Sequence, residues 1–136
     1  MQLTSFPVEF IVHDDASSDN TADIIKAYQK KYPDKIFPIF QSENQLSKDK
    51  SFLGRVIVDV AKGKYIAICE GDDYWTNPYK LQKQVDFLER NENFVLIGHS
   101  TVGLSEKKDR PSQIYPTIKK DVLKKKDIIF SYHLQA

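Results

Sequence analysis

The sequence is poor in the residues that build covalent or metal crosslinks. Cys69 is the one cysteine among 136 residues, so no disulfide can form within the chain. Paired cysteines and an HExxH spacing are both absent, and we therefore expect no zinc site. Cys69 stands in an apolar run, where a buried free thiol is the usual role. A thiol of that kind fits a reducing compartment.

Other absences narrow the classes of function. No apolar run is long enough to cross a membrane and no signal peptide is recognisable, although a longer parent protein could carry either. The formal net charge is only +1, which argues against a general nucleic-acid binder. The Lys-rich residues 119–126 are more typical of a solvated helix face. The five glycines form no glycine-rich phosphate loop, so a P-loop is not expected.

The remaining residues alternate between strand and helix patterns. Strands are predicted at 8–13, 36–40, 65–69 and 94–98, and helices at 52–61 and 77–91. A further helix is predicted between the candidate N-caps Ser17, Ser18 and Asp19 and its end at Pro33. The Val and Ile content of 52–61 leaves a strand open there. Toward the C-terminus the pattern indicates a strand continued at 101–104, a short helix at 120–126 and an apolar segment of open type at 128–132. The alternation predicts one α/β domain over residues 1–136, with a mostly parallel sheet flanked by helices.

Two acidic clusters stand where predicted strands end. Asp14 and Asp15 follow the first strand, and Glu70, Asp72 and Asp73 follow the strand at 65–69. In an open α/β sheet, ligands bind outside the carboxyl ends of the strands, so both clusters could face one crevice. Each cluster could instead be an acidic turn that only leads into the next helix. The matching context of the two clusters favours a site.

Carboxylate oxygens suit a divalent metal of the Mg²⁺ or Mn²⁺ type. Asp72 and Asp73 are the best candidate ligands, and Glu70 could bind the metal or hold a water beside it. Such an ion would keep positions open for a diphosphate and would neutralise charge on a phosphate leaving group. Asp14 and Asp15 could accept hydrogen bonds from a nucleobase or a ribose.

Three segments carry a resemblance to family 2 glycosyltransferases. Residues 12–21 read VHDDASSDNT and resemble the family's hydrophobic-x-D-D-x-S-x-D-x-T segment. Residues 61–66 read AKGKYI and resemble its A-x-G-x-Y-I segment, while residues 70–75 read EGDDYW and are similar to its D-x-D-D-x-W segment. The three occur in the family's order with family-like spacing. The resemblance covers residues 6–98, and the remainder only loosely.

The resemblance implies a GT-A fold and an inverting transfer of a sugar from a nucleotide-diphosphate-sugar donor to a saccharide or lipid-linked acceptor. It implies a divalent cofactor, Mn²⁺ or Mg²⁺. Asp14 and Asp15 match positions that hold the nucleoside, Asp72 matches the acid that approaches metal and diphosphate, and Asp73 matches the acid that follows it. It further implies polysaccharide assembly in the cytoplasm, including the inner face of the membrane, with no nucleic acid as partner. Oligomeric state stays open.

The chain departs from the family pattern at several places. Glu70 stands where the family usually has Asp, and its carboxylate reaches about one methylene further. Gly54 and Arg55 stand where an Arg-Asn pair often occurs, and solvent exposure is the favoured interpretation of Arg55. From the family pattern we expect its first strand before Phe6 and its acceptor region, with the general base, after the matched residues, so that both would lie outside this sequence. A general base is typically worth ~10² to 10⁴ in rate. The catalytic base is therefore unknown, and we expect a fragment that could be inactive alone.

Two alternatives remain open at this point. The first is a noncatalytic nucleotide-binding fragment, which the missing ends make credible. The second is a phosphoacceptor receiver domain, which also has paired acids after one strand and an Asp after a later one. The receiver interpretation is weaker because no lysine-bearing strand exit follows, and because a phosphoacceptor is not expected within residues 70–75.

Overall fold

The structure is a computed structural model that describes residues 2–104 and 113–115. The described chain forms two compact units, Met1–Phe94 and Val95–Ala136. The elements, in chain order, are β1 (Phe10–Asp14), α1 (Thr21–Lys31), β2 (Ile36–Phe40), α2 (Phe52–Val60), α3 (Lys80–Arg90), β3 (Thr101–Gly103) and β4 (Gln113–Tyr115). The first unit is α/β with a parallel sheet, as the alternation predicted. No helix in the described part is both long and apolar enough to cross a bilayer.

A parallel strand pair with one crossing helix organises the first unit. β1 pairs with β2 from Phe10 opposite Ile36 to Asp14 opposite Phe40, so both strands end at the same edge. Parallel strands need a crossover connection, and α1 supplies it. Beyond the ladder, the backbone N–H of Gln41 donates to the carbonyl of Asp14 at 2.9 Å. The pairing therefore extends one step past β2 and brings the following loop to the end of β1.

The helices begin and end close to the predicted limits. α1 stops one residue before its C-cap Tyr32, and Pro33 follows, which cannot continue the helix. α2 is helical despite its Val and Ile content, so the alternative of a strand there is wrong. After α2, the side chain of Glu9, just before β1, accepts hydrogen bonds from the backbone N–H groups of Lys62 and Gly63, at 2.7 and 3.1 Å. These bonds tie the end of α2 to the amino-terminal side of the sheet.

The strands predicted at 65–69 and 94–98 are wrong, because neither segment is a strand in the structure. A strand requires hydrogen-bonded neighbours, and within the described residues β1 pairs only with β2. Residues 65–69 have the composition of a strand but no ladder to join. Cys69, which was expected to be buried, is exposed as a result. The described sheets have two strands each, fewer than the pattern predicted.

Few apolar side chains are buried in the described part of the chain. Ile25 of α1 and Leu81 and Leu88 of α3 are the buried hydrophobic residues. Helical spacing explains the α3 pair, since residues seven apart lie on the same face of a helix. The three side chains mark the faces of α1 and α3 that pack inward.

The described part of the second unit contains a short antiparallel strand pair. β3 pairs with β4 from Thr101 opposite Tyr115 to Gly103 opposite Gln113. The strand predicted at 101–104 is thus present, one residue shorter. The helix predicted at 120–126 and the apolar segment at 128–132 lie outside the described residues.

Candidate functional site

Asp14 is the last residue of β1 and is almost wholly buried. Its side chain is 5% exposed, and within the described residues its Oδ1 atom has no hydrogen-bond partner. A buried carboxylate oxygen without a donor costs free energy, because the water it loses on burial is not replaced. The unpartnered oxygen lies at the carboxyl end of a parallel strand, which is where ligands bind in α/β sheets. Asp14 therefore offers an acceptor to an N–H or O–H group of a ligand.

Asp15 lies next to Asp14 but uses its carboxylate differently. The backbone N–H of Gln45 donates to Oδ1 at 2.8 Å, and the backbone N–H of Leu46 donates to Oδ2 at 2.9 Å. The bond from Gln45, with help from that of Leu46 and the charge of His13, holds the pKa of the Asp15 carboxyl below its ordinary value. Both oxygens are thus engaged by the loop that follows β2.

The chain turns sharply after the two aspartates. Ala16 has φ of 64°, in the left-handed region that residues with a Cβ seldom adopt. Asp19 then accepts a hydrogen bond from the backbone N–H of Thr21, the first residue of α1, at 2.9 Å. A bond from the Thr21 side chain, together with this backbone bond, holds the pKa of Asp19 below its ordinary value. The sequence predicted Asp19 among the candidate caps, and it satisfies one of the free N–H groups at the start of the helix.

The second acidic cluster forms an exposed turn. The backbone N–H of Asp73 donates to the carbonyl of Glu70 at 3.1 Å, so residues 70–73 make one tight turn with Gly71 and Asp72 at its centre. The side chains of Glu70, Asp72 and Asp73 are exposed, and in the described residues none of them forms an ion pair. The turn presents its carboxylates to solvent rather than to other side chains.

Trp75 follows the acidic turn and is covered by a lysine from the start of α3. The Nζ atom of Lys80 lies 4.3 Å from the centroid of the indole ring and donates to Oε1 of Gln84 at 2.8 Å. Cation–π contact of this geometry is attractive. Burial lowers the pKa of Lys80, because the charged form loses solvation. Trp75 is therefore a packing residue that joins the turn to α3.

The structure does not gather the predicted metal ligands into one cage. Within the described residues, no three His, Cys, Asp or Glu side chains come together as a metal-binding group. The hard oxygens of Asp72 and Asp73 still fit an ion of the Mg²⁺ type, which usually binds one or two protein carboxylates and takes its other ligands from water and substrate phosphates. The assignment of Glu70, Asp72 and Asp73 to a metal stays a prediction.

Arg55 has a role that the sequence analysis missed. Its guanidinium donates to Oδ2 of Asp49 and to the hydroxyl of Ser51, just before and at the start of α2. The bond from Arg55 is the main reason that the pKa of Asp49 falls to about 2. Exposure of Arg55 was predicted and is observed, but the side chain is paired. In the sequence, this pair is visible only as an Asp six residues before an Arg, on either side of a helix start. The rules for side-chain pairs within a helix cover spacings of three and four residues, so they do not predict it.

The two shallow clefts found among the described residues avoid both acidic clusters. One, of about 240 Å³, is lined from residues 64–65 and the end of α3. The other, of about 210 Å³, lies over β1, β2 and the end of α2. Neither contains Asp14, Asp15 or the acidic turn. The candidate site consequently rests on the buried acceptor of Asp14 and on strand-end placement, not on a cavity.

The chain is similar to several bacterial proteins, some of which carry glycosyltransferase names. It is 40% identical over 115 residues to an uncharacterized protein of Mycobacterium tuberculosis, covering 85% of this chain and 32% of that protein. It is 31% identical over 121 residues to an uncharacterized glycosyltransferase of Nostoc, covering 88% of this chain and 36% of the relative. The chain spans about a third of the length of these curated relatives. No solved structure matches it.

An Escherichia coli relative has a more specific name. It is the UDP-Glc:alpha-D-GlcNAc-diphosphoundecaprenol beta-1,3-glucosyltransferase WfaP, 34% identical over 87 residues that cover 64% of this chain and 32% of that protein. The family model for glycosyl transferase family 2 matches residues 1–135. A match over nearly the whole chain excludes the receiver-domain alternative and agrees with the three motif segments. The chain belongs to glycosyl transferase family 2, whose members have the GT-A fold.

Proposed function

We propose that this chain is the donor-binding part of an inverting glycosyltransferase that uses a nucleotide-diphosphate sugar. The observation that carries the proposal is the buried, unpartnered Oδ1 of Asp14 at the carboxyl end of β1, in a chain of this family. Nucleobases and riboses offer N–H and O–H donors, which are the groups that such an oxygen lacks. Asp14 and Asp15 therefore form the nucleoside end of the site.

The diphosphate end of the site is proposed at the exposed turn of residues 70–73. Asp72 and Asp73 would hold Mn²⁺ or Mg²⁺, and Glu70 would bind the ion or a water beside it. The ion, when bound, supplies positive charge that stabilises the diphosphate as it leaves. The exposure of these carboxylates supports the role, because a ligand can reach them without displacing an existing ion pair.

The acceptor is proposed to be a saccharide or a lipid-linked saccharide. The name of the Escherichia coli relative describes a diphosphoundecaprenol-linked acceptor for that protein. A similar acceptor here would place the reaction at the inner face of a membrane and in the assembly of a cell-surface polysaccharide. An inverting transfer also requires a base that removes the proton of the acceptor hydroxyl, and no described residue has motif support for that role.

Isothermal titration calorimetry with uridine diphosphate and guanosine diphosphate tests the donor role. We expect one of the two nucleotides to bind the wild-type chain more tightly when Mn²⁺ is present. Asp72→Ala should lose that gain, while Asp34→Ala removes the same charge from an exposed turn outside the site and should keep it. Equal, metal-independent binding by all three proteins would remove the metal role. Binding without sugar transfer by the whole protein would favour a noncatalytic nucleotide-binding role.

A further inference from the structure

We propose that the segment before β1, residues 2–9, positions the acidic turn of residues 70–73 relative to β1, and that Glu9 and Gln2 are its positioning residues. The inference rests on the proposed donor site, whose nucleoside end lies at the end of β1 and whose diphosphate end lies at the turn. Neither positioning residue touches the nucleotide or the metal. Their hydrogen bonds hold the chain on either side of the turn.

The acidic turn is not positioned by a sheet. Residues 65–69, which lead into it, join no strand ladder in the described part of the chain. A paired strand is fixed in place by hydrogen bonds to its neighbour, and these residues form no such pair there. The bond from the Asp73 N–H to the Glu70 carbonyl fixes the shape of the turn but not its place in the molecule. That place therefore depends on how the chain is held before and after the turn.

Before the turn, Glu9 holds the chain at residues 62–63. Its Oε1 atom accepts the backbone N–H groups of Lys62 and Gly63, at 2.7 and 3.1 Å. The chain is crowded here, because a Cβ on Gly63 would lie 3.3 Å from the carbonyl oxygen of Tyr65 and 4.0 Å from Oε1 of Glu9. Glycine lets the backbone pass at this distance. One carboxylate oxygen thus attaches two successive peptide groups to the residue directly before β1.

After the turn, Gln2 and Leu3 hold the start of α3. The Nε2 atom of Gln2 donates to the carbonyl of Asn77 at 2.8 Å, and its Oε1 atom accepts the backbone N–H of Leu81 at 3.0 Å. The backbone N–H of Leu3 donates to the carbonyl of Pro78 at 2.7 Å. The N-cap side chain of α3 makes no capping bond, so Gln2 satisfies an N–H group that the helix leaves free at its start.

The length of chain between these anchors limits where the turn can lie. An extended chain spans at most ~3.6 Å per residue, so the stretch from Asp73 to Asn77 reaches no further than ~14 Å and the stretch from Gly63 to Glu70 no further than ~25 Å. Both stretches are anchored to residues 2–9, which run directly into β1 and Asp14. Loss of either anchor lengthens the free chain, and ordering the turn around a bound ion then costs more conformational entropy.

Amide hydrogen exchange, measured by NMR on the nucleotide-free chain, tests the anchor at Glu9. Glu9→Ala should accelerate exchange at Lys62 and Gly63 by ~5-fold or more, because both N–H groups lose a charged acceptor. Glu9→Gln keeps an oxygen at the same position and should restore part of the protection. Asp34→Ala removes a carboxylate from a turn that makes no contact with this segment in the described residues, and it should leave both amides at their wild-type rates. Unchanged exchange in Glu9→Ala would overturn the anchor.

Calorimetry with the nucleotide diphosphate that the wild type prefers separates positioning from a general loss of stability. Glu9→Ala and Gln2→Ala should keep the metal-free affinity within ~2-fold, because Asp14 is untouched, while the gain in affinity on adding Mn²⁺ should fall by ~5-fold or more. Glu9→Gln should recover most of that gain. Equal losses with and without Mn²⁺, or an undiminished gain, would refute the positioning role. A wild-type chain without any Mn²⁺ gain would refute the proposed metal end, and the positioning role with it, while the exchange rates still report the anchor.

Discussion

At the scale of single residues, the proposed ligand contact of Asp14 would come at a cost in folding stability. Its buried Oδ1 lacks a partner in the described residues, which costs folding free energy whenever no ligand is bound. We expect Asp14→Ala to raise the free energy of unfolding of the free chain by ~1 kcal/mol, because it removes the unsatisfied group without removing apolar contacts. Urea denaturation measures the change. A loss of stability would mean that Asp14 has a structural partner.

Nucleotide affinity should move in the opposite direction at the same residue. If a base or ribose donates to Asp14, its removal weakens binding by ~10- to 100-fold, the range for hydrogen bonds to charged groups. A residue whose replacement stabilises the fold and weakens ligand binding is typical of a functional site.

The residue types of the site were predictable, but the different environments of the two aspartates were not. Asp14 and Asp15 are adjacent and chemically identical, so no sequence pattern can tell which one is buried. The distinction comes from the end of the β1 ladder, which buries Asp14, and from the loop after β2, which returns to Asp15. The left-handed backbone conformation of Ala16 could not be predicted from the sequence either, since positive φ is typical of Gly and not of Ala.

At the scale of elements, the start of α2 should carry a measurable pH dependence. Arg55 and Ser51 hold the pKa of Asp49 at about 2, below its ordinary 3.8. A carboxyl whose pKa is lower in the folded state stabilises the fold above 3.8 and loses that effect as the pH falls toward 2. Asp49→Asn should therefore lower the urea midpoint at neutral pH, with a difference from wild type that shrinks between pH 3.8 and 2. A difference that stays constant across this range would contradict the Arg55–Asp49 pairing.

Neighbouring isoleucines of α1 give a matched test of its packing. Ile25 is 9% exposed and Ile24 is 56% exposed, although they are adjacent and identical in chemistry. Ile25→Ala should destabilise the chain by ~2–4 kcal/mol and Ile24→Ala by well under half of that, because only the first leaves a cavity. Thermal and urea unfolding measure both. Equal losses would place the buried face of α1 elsewhere.

Helices were predicted more successfully than strands for a physical reason. A helix satisfies its backbone hydrogen bonds within one segment, so a local pattern is enough to indicate α1, α2 and α3. A strand needs a second segment, and residues 65–69 have none in the described part of the chain. Their apolar composition favours a strand, but a strand forms only where a neighbouring segment can pair with it.

At the scale of the whole molecule, apolar residues that a complete fold would bury are exposed. Ile68 is 72% exposed and Val95 is 97% exposed, although both lie in segments predicted as strands. The family, the α/β class and the order of the motifs were all predictable, because three separated motifs agree with one another. The number of paired strands was not, since it depends on which segments find partners.

Calorimetry on single and double variants can establish whether Asp14 and Asp72 contact opposite ends of one nucleotide diphosphate, as proposed. Asp14→Ala should weaken binding of the preferred nucleotide by a similar factor with and without Mn²⁺. Asp72→Ala should weaken it only when Mn²⁺ is present, and the double variant should show the sum of the two free-energy losses, as expected for separate contacts. Wild-type affinity and unchanged metal dependence in both single variants would contradict the account.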